Sequence, residues 1–257
     1  MKIIITGASE GIGKTMALAF AKRGASLALF ARRQDLLNQV ALECKKLGSP
    51  VVHIEAVDIT QSQAFREGLE KSFQSMGGIT HFIANAGMSG RSHPKKDSWH
   101  EVKKCLELNV MATFDGIEWV KAKMVQQGSG VIVGVSSVAG TRGLPDSGAY
   151  SASKSALTKY LESLRLDLAP YHVDVLTIAP GFIDTPLTKA NKGKMLFLMD
   201  ATEAGEIFAK EILQKKRLIV APWQYRYIMM FLRWMPDPIY DLLMRLVMIR
   251  IRGKKAA

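Results

Sequence analysis

The feature that most constrains this chain is a glycine-rich turn placed between an apolar run and an amphipathic one. Thr6-Gly7-Ala8-Ser9-Glu10-Gly11-Ile12-Gly13 follows the short run Lys2-Thr6 and opens a segment, residues 12–23, with apolar side chains at helical spacing. Glycine allows a tight turn and lets backbone approach a ligand. The free N–H groups and positive dipole end of the following helix suit a pyrophosphate. The same unit repeats: residues 26–31, 51–57, 81–84, 130–136, 174–179 and 218–221 read as strands, and residues 35–47, 61–76, 99–127 and 151–171 as helices. The strands are Val/Ile-rich and apolar on both faces, as strands covered by helices on both sides must be. Such alternation predicts an α/β chain built on one doubly wound parallel sheet with right-handed crossovers.

Composition limits the partners. With 48% hydrophobic and 23% charged residues among 257, the chain can bury a full core. Its net charge of +12 admits nucleic acid, an anionic membrane surface or a phosphorylated ligand. Cys44 and Cys105 form no CxxC pair and read as free thiols of a reducing compartment. The five histidines form no HExxH or Cys/His cluster, so no metal is expected. The N-terminus lacks the charged, apolar and small-residue order of a signal peptide. The longest uncharged stretch, residues 124–141, is rich in Gly and Ser, so no spanning helix is expected. These features predict a cytoplasmic protein.

Further motifs follow the strands. Asn85-Ala86-Gly87 comes after the fourth, Asn109 lies in Glu107-Leu108-Asn109-Val110, and Ser136-Ser137 ends the fifth. Tyr150 and Lys154 form a YxxxK pair, and Pro180-Gly181-Phe182-Ile183-Asp184-Thr185 follows the sixth strand. In this order, over residues 1 to about 220, they resemble the classical short-chain dehydrogenase/reductase (SDR) family, whose glycine motif is TGxxxGxG. The resemblance implies a Rossmann-type NAD(P)-binding catalytic domain over residues 1–220, with residues 221–257 as a basic amphipathic helical tail.

The residues can carry that chemistry. Tyr150 and Lys154, four apart, share one helical face. A phenol has a pKa near 10, and an adjacent ammonium stabilises its anion, so Tyr150 is expected to act as general acid toward a carbonyl. No side chain supplies a hydride, which must come from a cofactor. The resemblance further implies that Lys154 also binds the nicotinamide ribose and that Ser137, rather than Ser136, hydrogen-bonds the substrate oxygen. It implies that Asn109 holds a relay water behind the lysine, and that Ile183 and Thr185 anchor the carboxamide. Gly7, Ser9, Gly11, Ile12, Gly13, Asn85, Ala86 and Gly87 complete the implied cofactor site. Asp58-Ile59 resembles the pair beside the adenine, although Asp58 also reads as a helix-capping carboxylate.

The second strand ends in Ala31-Arg32-Arg33 with no carboxylate before Asp35. Paired guanidiniums match the 2′-phosphate of NADP, whereas an NAD ribose would lack its usual acceptor. NADP (NADPH) is therefore the expected cofactor, although Glu10 stands in the glycine turn where many NADP-preferring relatives carry a base. The expected activity is NADPH-dependent reduction of a lipophilic ketone or aldehyde. The alternatives are an NAD-dependent dehydrogenase of a polar alcohol and a cofactor-binding scaffold or sensor of low activity.

Residues 185–200 resemble the segment that covers the substrate. Their Leu187 and Met195-Leu196-Phe197-Leu198-Met199 fit an apolar substrate or simple packing onto the sheet. From Lys210 onward, 11 Lys/Arg face 3 Asp/Glu, a net +8 assigned to the tail. There, residues 228–235 and 239–251 read as two amphipathic helices with arginines at 226, 233, 245, 250 and 252 among large apolar residues. Interfacial attachment to anionic lipid, on the inner face of a membrane, is the preferred reading. A cover over the substrate mouth and an oligomer contact compete with it. Nucleic acid is disfavoured because no reading module is present. The family resemblance also implies a homo-oligomer pairing helices near residues 99–127 and 151–171.

Overall fold

The computed structural model describes residues 1–90, 97–189 and 195–253, with side chains to Ile249. The side chains of Arg250 and Arg252 and part of the expected lid, residues 190–194, lie outside the described residues.

The apolar runs form strands β1 (Lys2–Thr6), β2 (Ser26–Ala31), β3 (Val52–Ala56), β4 (His81–Ala84), β5 (Gly130–Val135), β6 (Val173–Pro180) and β7 (Leu218–Ala221). They make one parallel seven-stranded sheet in the order β3-β2-β1-β4-β5-β6-β7. The expected strands agree with these to within a residue or two. Helices α1 (Gly11–Ala21), α2 (Gln34–Lys46), α3 (Ser62–Met76), α4 (Trp99–Leu106), α5 (Thr113–Gln127) and α6 (Gly148–Leu168) follow in the chain, then α7 (Pro186–Lys189), α8 (Ala201–Leu213), α9 (Gln224–Trp234) and α10 (Asp237–Gly253).

Alternation along each strand divides the core between two faces. Ile3 and Ile5 of β1, with Leu27, Leu29, Val133 and Ile178, pack under α1, α2 and α8. Ile4, Ala28, Phe30, Phe82 and Ile132 pack under α3, α5 and α6. Both faces are dry, which explains the near-continuous apolar strands. The chain winds from β1 out to β3, then crosses back to β4, so the connections leaving the paired strands β1 and β4 run to opposite faces of the sheet and open a crevice at their C-terminal ends.

Two elements differ from expectation. The predicted helix over 99–127 is broken by a π-helical turn at Glu107–Ala112, where Thr113 Oγ1 donates to Leu108 O at 3.0 Å, five residues back. Helix α8 is not among the helices read from apolar spacing, although Asp200 caps it by accepting from the N–H groups of Thr202 (2.7 Å) and Glu203 (3.1 Å).

Candidate active site

The crevice above β1 and β4 is a cleft of about 590 Å³. One end is built by the glycine turn. Gly7 and Gly11 adopt φ of 66° and 56°, conformations that favour glycine. A Cβ on Gly7 would lie 2.8 Å from Ala86 Cα, so the β1 and β4 loops touch backbone to backbone. Asn85 clamps them, donating from Nδ2 to Thr6 O (2.9 Å) and Gly7 O (3.1 Å). Gly7, Ser9, Gly11 and Ile12 line the cleft, as do Asn85, Ala86 and Gly87. Gly13 does not line it; a Cβ there would lie 2.2 Å from Gly7 O, so this glycine permits the close packing of α1 against the turn.

Arg32, Arg33, Asp58 and Ile59 line the cleft beside this turn. Asp58 Oδ1 accepts from Thr60 N (3.0 Å) and Thr60 Oγ1 (2.8 Å), so it organises the turn before α3, whose cap position is Gln61. Arg33 pairs with Glu10 at 2.8 Å, a partnership between two turns that residue spacing did not reveal.

The other end of the cleft carries the polar chemistry. β5 delivers Ser136 and Ser137, and their roles separate. Ser136, 2% exposed, donates from Oγ to Lys154 O at 2.8 Å and shares a 2.8 Å bond with Thr158 Oγ1, so it ties α6 to the sheet. Ser137 is half-buried, lines the cleft and lies in hydrogen-bonding contact with the Tyr150 phenol. Lys154, 4% exposed, sits one turn along α6 and donates from Nζ to Val135 O at 2.8 Å.

The expected depression of the Tyr150 pKa by Lys154 is not present in this state. Burial raises the phenol above its ordinary value, with the Ser137 hydrogen bond pulling the other way. The ammonium is directed at a carbonyl 19 residues away in sequence, and burial lowers Lys154 to about 8. Tyr150 is thus held as the neutral, proton-bearing phenol.

Asn109 lies behind this wall and does not line the cleft. At 1% exposure in the π-turn, it accepts from Met88 N (2.9 Å) and donates to Met88 O (2.9 Å) and Ser153 Oγ (3.0 Å). Gly87 is where it comes closest: a Cβ on Gly87 would meet Lys154 Nζ at 3.2 Å and Asn109 Oδ1 at 3.3 Å. Ile183 and Thr185, after β6, line the cleft opposite the glycine turn, and a Cβ on Gly11 would lie 3.3 Å from Thr185 Cγ2.

The covering segment is pinned at both ends, Asp184 N donating to Met199 O (2.9 Å) and Met199 N to Phe182 O (3.0 Å). Its apolar residues divide between the core and the cleft. Met199 packs on the core and Leu187 lines the cleft, while Leu196, Phe197 and Leu198 are exposed.

The C-terminal helices dock on the loops that follow β5 and β6. Tyr225 of α9 fills the space over Gly181, where a Cβ would lie 2.1 Å from the ring, and its hydroxyl donates to Leu196 O at 2.7 Å. At the start of α10, Arg142 pairs with Asp237 (2.7 Å) and lies 4.3 Å from the Tyr240 ring centroid, and the Tyr240 hydroxyl donates to Gly143 O (2.5 Å). Sequence spacing gave no sign that Arg142, Tyr225 and Tyr240 fasten these helices to the loops. The net +8 also needs correction. Lys210 lies in α8, and Lys215, Lys216 and Arg217 precede β7 at the N-terminal ends of the strands, away from the cleft, with Lys215 paired to Asp174 and Lys216 to Glu211.

The cleft fits a dinucleotide: the glycine turn and the Asn85–Gly87 backbone line it, two arginines stand beside that turn, and a half-buried phenol with a buried cation stands at the other end. Fold and site together define a nicotinamide-dependent oxidoreductase of the doubly wound class. A family model described as short chain dehydrogenase matches residues 1–195. An oxidoreductase of Myxococcus xanthus is 35% identical over 238 residues, 93% of this chain and 94% of that protein. The 11-beta-hydroxysteroid dehydrogenase-like 4A of Arabidopsis thaliana is 31% identical over 234 residues, 86% of this chain and 76% of its own length. A short-chain type dehydrogenase/reductase from Mycobacterium marinum shares the structure with a TM-score of 0.80 at 27% identity, over 87% of this chain and 94% of that one. A short-chain enzyme from Burkholderia phymatum, solved in complex with NAD, shares the fold with a TM-score of 0.82 at 20% identity, over 90% and 92% of the two chains. The chain belongs to the short-chain dehydrogenase family and is an NAD(P)-dependent oxidoreductase.

Proposed function

We propose that the protein uses NADPH to reduce the carbonyl of a lipophilic substrate to an alcohol. The observation that carries this reading is the placement of Ser137, Tyr150 and Lys154 at one end of a cleft whose other end holds Arg32 and Arg33. The cofactor, when bound, supplies the hydride. Ser137 Oγ donates to the substrate oxygen and positions it, and Tyr150 delivers its proton to that oxygen as negative charge develops. A phenol raised by burial keeps its proton until an alkoxide-like oxygen is present to take it, since an alkoxide is far more basic than a phenolate. Lys154 holds positive charge behind the phenol and steadies the phenolate that remains. Asn109 positions this group by fixing the Met88 loop and Ser153, which precedes Lys154 on α6.

Substrate lipophilicity is supported by the apolar cover residues Leu187, Leu196, Phe197 and Leu198, and by the hydroxysteroid dehydrogenase name of the Arabidopsis relative. Tyr150→Phe tests the mechanism. Ketone-dependent NADPH oxidation should fall at least about a thousandfold while cofactor binding is retained, and preserved turnover sinks the reading.

The same proposal places the C-terminal helices against anionic lipid. Tyr227, Met230, Phe231 and Trp234 of α9 and Ile239, Leu242, Leu246 and Ile249 of α10 are exposed, with Arg226, Arg233 and Arg245 exposed among them. Such a surface suits an interfacial helix pair. No helix among the described residues is long and apolar enough to cross a membrane. Co-sedimentation with vesicles containing phosphatidylserine, lost on Phe231→Asp plus Trp234→Asp, is the expected result. Absence of co-sedimentation, or indifference to the substitutions, rejects lipid contact.

A further inference from the structure

We infer that Glu10 is a cofactor-selectivity residue that restrains the use of the phosphorylated dinucleotide by holding Arg33. The inference rests on the reading of Arg32 and Arg33 as the contacts of the adenosine 2′-phosphate. Glu10 occupies the N-cap position of α1, yet its side chain makes no cap hydrogen bond. Instead its carboxylate reaches from the glycine turn to Arg33 at the end of β2, at 2.8 Å, while Arg33 Nη2 also donates to Ser9 Oγ at 3.4 Å. Arg33 in turn stands at the cap position of α2 without a cap bond of its own. Both side chains are about half exposed, and Ser9, Glu10, Arg32 and Arg33 all line the same end of the cleft. One of the two guanidiniums that would meet a phosphate is therefore neutralised by a carboxylate on the cleft wall.

The consequence differs for the two cofactors. A phosphate monoester carries about −1.5 to −2 near neutrality; it must draw Arg33 away from Glu10 and stand beside the carboxylate. An unphosphorylated ribose brings no charge and offers hydroxyl donors that a carboxylate accepts. Glu10 thus lowers affinity for the phosphorylated form and leaves the other nearly unchanged. Removing one like charge from a half-exposed site is worth roughly five- to tenfold in binding at low salt, less as screening grows.

The test is direct binding, which needs no substrate. NADPH and NADH are titrated by tryptophan fluorescence into the full chain, Glu10→Gln, Arg33→Ala and the double variant at low and physiological salt. Glu10→Gln should tighten NADPH by roughly fivefold or more, leave NADH within about twofold, and lose the gain when Arg33→Ala is added. Glu10→Ser, a natural cap residue, should reproduce the shift if Glu10→Gln folds poorly. Unchanged or weaker NADPH binding in both Glu10 variants overturns the inference, because the carboxylate would then serve only to position Arg33. The underlying reading fails separately: wild type favouring NADH, with Arg33→Ala not weakening NADPH, removes the phosphate site whatever Glu10 does. Wild type favouring NADH while Glu10→Gln restores NADPH supports the restraint itself.

Discussion

Replacing Lys154 by Met should stabilise the cofactor-free protein while abolishing turnover. Lys154 is 4% exposed, and burial lowers its pKa from 10.5 to about 8, opposed by the nearby Cys105. Below about pH 8 the folded chain keeps an ammonium away from water. The unfolded chain binds a proton up to about 10.5, so between these values the unfolded state holds more protons and stability rises with pH. The burial penalty at pH 7 is about 3 kcal/mol. Methionine preserves the apolar stem and removes the charge, but also the 2.8 Å bond to Val135 O, worth about 1 kcal/mol. The net gain at pH 7 is then roughly 1–2 kcal/mol. Urea unfolding of both proteins at pH 7 and pH 9 reads it. The stability gap should shrink by about 1 kcal/mol at the higher pH as wild-type Lys154 sheds its proton. Cys105 and Tyr150, both raised by burial, are common to the two proteins and largely cancel in the difference. A gap that is constant or widens with pH refutes the argument, and so does a variant less stable than wild type at pH 7.

The two adjacent serines should separate by assay. Ser136→Ala, which removes the bonds to Lys154 O and Thr158 Oγ1, should lower stability by about 1–2 kcal/mol in urea unfolding. Ser137→Ala, which loses a 3.1 Å bond from Ala139 N, should cost less than about 1 kcal/mol but cut turnover about a hundredfold or more in a carbonyl-reduction assay. Equal effects on stability would show that Ser137 is structural too. Gly181→Ala should displace Tyr225, since the added Cβ meets the ring at 2.1 Å. Its expected signature is a larger change in KM for a bulky ketone than in NADPH affinity, measured on one preparation.

Most of the architecture was legible because its signals are local. Val/Ile runs end at glycine or polar turns, and the YxxxK pair shares a helix face whatever surrounds it. What escaped depends on partners distant in sequence. The segment over 99–127 keeps helical periodicity throughout, and its π-turn follows from Asn109 meeting Met88 and Ser153, 21 and 44 residues away. Gly13 belongs to the glycine motif, yet only the packing of α1 on Gly7 distinguishes its role from that of Gly11. The direction of the Tyr150 shift was misjudged because spacing reports proximity to Lys154 but not burial, and burial dominates both groups. Helix α8 is the exception: Asp200 followed by Thr202 and Glu203 is a local capping signal.

The C-terminal helices are fastened to the loops after β5 and β6 rather than to the glycine turn. The loop after β5 carries Ser137 and continues to Arg142 and Gly143; the loop after β6 carries Gly181, Ile183 and Thr185. One wall is tied to α10 through Asp237 and Tyr240, the other to α9 through Tyr225. The glycine turn and Asn85, by contrast, are fixed to each other by bonds within the β1–β4 crevice. From Asp241 onward the described side chains of α10 are exposed or half-buried, so the hairpin's hold on the body is concentrated at its two tyrosines and one ion pair. These contacts join the C-terminal helices to the two loops that carry Ser137 on one side and Ile183 and Thr185 on the other.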